Sequence, residues 1–94
     1  MPDFMMAMTI NPQAKRPRTT LSTDISESFE VFKVHNIKVN HLYATMGRYD
    51  FVAVFQAQDQ TQAFRVASEI NNKGILETET WPIIPYEEFT RLLA

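Results

Sequence analysis

His41, Tyr43, Arg48, Tyr49 and Asp50 lie within ten consecutive residues, and together they carry a titratable ring, two phenols, a guanidinium and a carboxylate. A neutral imidazole at His41 can take a proton near pH 7, with Asp50 to orient it. Arg48 can hold a developing enolate or a carboxylate. Tyr43, Tyr49 and the more distant Trp81 can wall a flat organic ligand. The expected set is thus His41 and Asp50 as catalytic groups, with Tyr43, Arg48, Tyr49 and Trp81 on the substrate. A plainer reading of the same residues gives the rings to a core or interface, Asp50 to bracing a hairpin and Arg48 to solvent.

Other groups carry less chemistry. His35 ends a helical pattern, where the helix dipole suits it. The two histidines show no ligand spacing and the chain has no cysteine, so no metal site is expected. Glu77 and Glu79 share a strand face; they can divide acid and base duties or charge an exposed sheet edge. Lys15, Arg16 and Arg18 surround Pro17 in an exposed basic loop at residues 11–20. The formal charge is nevertheless −2 and no glycine-rich phosphate cradle is present, so neither nucleic acid nor a bound organic cofactor is expected.

The elements that must position these groups follow from periodicity. Residues 4–10 alternate as a first strand, ended by Asn11 and Pro12. Residues 21–34 form a helix with Leu21, Ile25, Phe29 and Phe32 as its stripe, Asp24 as a candidate cap and Asn36 as a stop. Residues 37–46 and 49–58 form a hairpin, with Ile37, Val39, His41, Tyr43 and Thr45 on one face of its first strand. Gly47 and Arg48 suit a two-residue turn in which glycine takes a positive φ. Asp59 and Gln62 have the spacing of a capping pair for a second helix, closed by residues 71–74. A fourth strand spans residues 75–81, and Pro82 marks an edge or an exit. Residues 86–93 form a short helix with Phe89, Leu92 and Leu93 as docking residues.

This order, β-α-β-β-α-β plus a terminal helix, predicts an α+β ferredoxin-like sandwich in which residues 1–94 form a single domain. Both faces of the strands are largely apolar, and the helices can cover only one. A soluble chain of this size does not leave that much strand surface wet, so a homodimer, or a higher oligomer built from dimers, is expected. The apolar run at Met5–Met8 is too short to span a bilayer and lacks a basic leader, so no membrane partner is expected and the chain is read as cytoplasmic.

The segment TMGRYDFVAV, Thr45 to Val54, resembles the signature of the GYD-domain family, a glycine, one variable residue, then tyrosine and aspartate before a hydrophobic strand. Gly47, Tyr49 and Asp50 match it residue by residue, and a looser likeness runs from the Phe4 strand to the acidic-hydrophobic tail. The Lys-Arg-Pro-Arg run departs from the family's usual early loop. The resemblance implies a small bacterial protein of the dimeric α/β-barrel class, whose fold relatives include cofactor-independent monooxygenases and isomerases. Three functions therefore compete: a homodimer binding a small, possibly aromatic metabolite; a monooxygenase or isomerase acting on an enolisable or phenolic compound; and a structural or regulatory oligomerisation module.

Overall fold

A computed structural model describes residues 1–13 and 18–94, with side chains in the second stretch from residue 20 onward. Lys15, Arg16 and the side chain of Arg18, the charges of the expected basic loop, lie outside the described residues. The element order is β1 (Asp3–Ile10), α1 (Arg18–Val34), β2 (Val39–Ala44), β3 (Phe51–Gln56), α2 (Gln60–Asn72), β4 (Leu76–Ile83) and α3 (Tyr86–Leu92). The four strands form one antiparallel sheet in the order β2-β3-β1-β4. The expected ferredoxin-like topology is therefore present.

Phe4, Met6 and Met8 of β1 are buried, and the register pairs them with Phe55, Ala53 and Phe51 of β3. Residues opposite each other on antiparallel strands share a sheet face, so these side chains meet the helices together. Phe32 of α1 reaches into them, its ring centroid 5.1 Å from that of Phe55, which also stacks on Phe4 at 5.8 Å. Val66 and Ile70 bring α2 onto the same core. The other face presents Met5, Ala7 and Thr9 of β1 beside Val52 and Val54 of β3, with no helix over them.

Several boundaries differ from the sequence-based expectation. Helix α1 begins at Arg18, so Asp24 is interior and not a cap. Leu21 packs against the core from within the helix, as the stripe expected. The C-terminal end is as expected. Asn36 adopts φ 57°, its N–H bonds to the Lys33 carbonyl and that of Ile37 to the Phe32 carbonyl, a Schellman closure. The Asp59 carboxylate caps α2 by accepting the Gln62 N–H at 2.8 Å. Gln62 returns not to Asp59 but to the Gln58 N–H at 2.7 Å, and its amide donates to the His35 carbonyl, tying the end of α1 to the start of α2. His35 Nε2 also lies 2.9 Å from the Glu69 carboxylate of α2.

The hairpin departs most from expectation. Strand β3 starts at Phe51, and residues 45–50 form a longer loop closed by the Thr45 N–H on the Asp50 carbonyl and the Thr45 hydroxyl on the Tyr49 carbonyl. Gly47 does not take a positive φ, because this loop has no two-residue turn to require one. In β2 the register shifts between Val39, opposite Phe55, and His41, opposite Val54. The extra residue, Asn40, reverses the alternation. Val39 therefore faces the core, whereas His41 and Tyr43 face away from it. Strand β4 continues through Pro82 to Ile83, which an edge strand tolerates because one side needs no ladder bond.

Candidate functional site

Tyr49 is the residue that organises the open sheet face. The loop before β3 lays its ring over β1 towards β4, where it makes a T-shaped contact with the Trp81 ring, centroids 6.3 Å apart. Trp81 is opposite Met5 and Glu79 opposite Ala7, so both β4 side chains stand on the uncovered face. The guanidinium carbon of Arg48 lies 5.8 Å from the Tyr49 ring centroid, within cation–π range. Ala7 is only 2% exposed although no helix covers it. Together Thr9, Arg48, Tyr49, Glu77 and Glu79 line an open hollow of about 410 Å³.

The Tyr49 phenol hydrogen-bonds to the Glu79 carboxylate, which raises its pKa above the ordinary 10.0; desolvation and the Glu79 charge add to the effect, and Arg48 opposes it. The phenol therefore stays protonated at neutral pH and serves as a donor, not as a phenolate base. The hollow offers a cation at Arg48, acceptors at Glu77 and Glu79, and one aromatic wall at Tyr49, whose ring is backed by Trp81. Such a surface can orient a small molecule with a flat apolar part and a charged or hydrogen-bonding end.

The remaining residues expected at the site lie elsewhere. His41 and Tyr43 stack on each other, with ring centroids 5.9 Å apart, on β2 at the far edge of the sheet. Three strand spacings, about 14 Å, separate β2 from β4. Asp50 does not orient His41. Its carboxylate accepts the Ile10 N–H at 2.8 Å, and its own N–H donates to the Met8 carbonyl. The β1–β3 ladder ends at Met8 opposite Phe51, and Asp50 supplies the acceptor that the next stretch of β1 lacks. The compact hairpin cluster read from the sequence is thus divided. Arg48, Tyr49 and Trp81 come together, His41 and Tyr43 form a separate stack, and Asp50 braces the fold. Glu79 joins the first group while standing exposed on the edge strand, as the edge reading of Glu77 and Glu79 expects; its shared parity with Trp81 was the available signal.

Solved structures of other proteins share the fold. TTHA0845 from Thermus thermophilus superposes with a TM-score of 0.63 at 18% identity, over 90% of this chain and 95% of that one. A feast or famine regulatory protein from M. tuberculosis, complexed with L-methionine, gives 0.62 at 13% identity over 90% of this chain. The leucine response regulatory protein of Mycobacterium tuberculosis gives 0.60 at 13% identity over 89% of this chain. This chain spans about half the length of those two regulators, 51% of each. No curated protein sequence matches. No helix among the described residues is long and apolar enough to cross a membrane. The GYD domain model matches residues 4–93, nearly the whole chain, and the protein belongs to the GYD domain family.

Proposed function

We propose that this GYD domain pairs with a second copy through its open sheet face and binds a small metabolite, with a flat apolar part and a polar end, in the Arg48–Tyr49–Glu77–Glu79 hollow. The observation that carries this reading is the path of Tyr49, which sets a protonated phenol against Glu79 and its ring in T-shaped contact with Trp81 on an otherwise apolar sheet. Met5, Val52 and Val54 are only partly covered in the single chain, and a facing sheet would bury them. Roughly 800 Å² per partner is the usual scale of such an interface. The likeness to a regulator complexed with L-methionine supports an amino acid as the first ligand to try. A cysteine-free chain suits the reducing cytoplasm in which we place it.

This reading makes the site a binding site and gives no role to the His41–Asp50 pair. Catalysis by His41 with Asp50 needs both at one centre, and Asp50 is committed to the Ile10 N–H. The test combines molar mass by light scattering with thermal shift against L-methionine, L-tryptophan and simple aromatic carboxylic acids. A dimer whose melting point rises with one of these, less so in Tyr49→Phe and Glu79→Gln and unchanged in His41→Ala, supports the reading. A monomer, or a shift abolished by His41→Ala alone, overturns it.

A further inference from the structure

Helix α3 buries none of its residues in its own chain, and Tyr86, Leu92 and Leu93 are each more than 70% exposed. At 100° per residue Tyr86, Phe89, Leu92 and Leu93 fall on one side, with Glu87, Glu88 and Arg91 on the other. A seven-residue helix is too short to be stable alone in water. The single chain measures 52 × 28 × 18 Å. Its longest strands, at eight residues, account for only about 27 Å. The helix stands off the end of the sandwich, beyond Pro85.

The same chain carries an uncharged groove. Between α2 and the free edge of β4 lies a hollow of about 450 Å³ whose wall mixes apolar residues, Phe4, Phe64 and Pro82 among them, with polar ones such as Gln60, Asn71 and Thr80, and has no charged residue. Phe64 is 72% exposed there, although it is a large apolar side chain in the middle of a helix. The Thr80 hydroxyl is buried without a hydrogen-bond partner.

We infer that α3 of one chain docks in the α2–β4 groove of a second copy. The neutral groove fits the uncharged stripe, and α3 keeps its three charges in solvent. The stripe also brings one polar group, the Tyr86 phenol, for the orphaned Thr80 hydroxyl. Burying the exposed parts of the four side chains removes about 400 Å² from each arm. Two reciprocal arms therefore remove about 800 Å² on their own, before the covered surface of the grooves is added, which is the scale of a small interface. The contact uses the helix-covered side of β4, so it stands independently of pairing through the open sheet face.

The absence of native cysteine makes disulfide trapping clean. A chain carrying Phe64→Cys is co-expressed with a differently tagged chain carrying Leu92→Cys, and a second pair combines Val54→Cys with Leu92→Cys. All three positions lie on the surface or the open face, and circular dichroism checks that each variant folds. The expected result is a disulfide-linked heterodimer from the 64–92 pair and little from the 54–92 pair. In the unsubstituted chain, α3 amides should exchange at least about tenfold more slowly in concentrated than in dilute protein. Absence of the 64–92 link, equal linking to Val54, or exchange independent of concentration would each overturn the inference.

Discussion

The carboxylate of Asp50 and the backbone N–H of Ile10, forty residues apart in sequence, are joined by a 2.8 Å hydrogen bond. A backbone donor in a partly buried position is costly to leave unpaired. Asp50→Ala should therefore destabilise the fold by about 1–3 kcal/mol, whereas Asp50→Asn, which keeps a carbonyl acceptor, should lose less. Urea denaturation measures both. Equal stability of Asp50→Ala and the parent chain would remove the bracing role.

Tyr49 makes a prediction about alkaline pH. Its phenol has a raised pKa because Glu79 accepts its proton in a hydrogen bond. Folding therefore favours the protonated form. The contribution is complete below the unfolded phenol's pKa and is lost as pH rises through the higher folded value. Phenolate absorbance should show one of the three tyrosines titrating late, absent in Tyr49→Phe and moved back towards the ordinary value in Glu79→Gln.

The two glycines should respond oppositely to alanine. Gly74 holds φ +78° at the end of α2, a conformation that costs an L-residue about 1–2 kcal/mol. Gly47 has no positive φ and no atom within 4 Å of where a Cβ would stand. Gly74→Ala should lower the denaturation midpoint, and Gly47→Ala should leave it unchanged or raise it slightly through lost chain entropy in the unfolded state. A large loss from Gly47→Ala in the assembled protein, but not in dilute protein, would mean that a second chain approaches the loop.

Gln62 bridges two helix ends. It accepts the Gln58 N–H and donates to the His35 carbonyl, while Asp59 caps the same helix. Asp59→Ala should cost about 1 kcal/mol. Gln62→Ala should cost about 1–2 kcal/mol through its two lost bonds. Because the two residues share one helix end, the double variant should depart from the sum of the single ones, and a double-mutant cycle by chemical denaturation reads that coupling. Strict additivity would show that they act separately.

Element types and order were legible from periodicity because burial against a single core imposes it. Leu21, Ile25, Phe29 and Phe32 mark α1, and Phe51, Ala53 and Phe55 mark β3. Caps were legible where the chemistry is local, as at Asp59, Asn36 and Gly74. Asp24 had the same local chemistry and misled, because the helix starts six residues earlier, at Arg18, and leaves it interior.

The site is different in kind. Sequence proximity gathered His41, Tyr43, Arg48, Tyr49 and Asp50, but alternation alone could not reveal the Asn40 bulge or the longer loop at residues 45–50. Residue types in the chain determined a two-sided apolar sheet with aromatic and charged groups near one hairpin. Strand order and register decided which of them meet, placing Tyr49 beside Glu79 and Trp81 of a strand thirty residues on, and His41 at the opposite edge. The physical reason is that side-chain periodicity is a local property of the backbone, whereas strand order comes from long-range hydrogen bonding and packing between segments far apart in the chain.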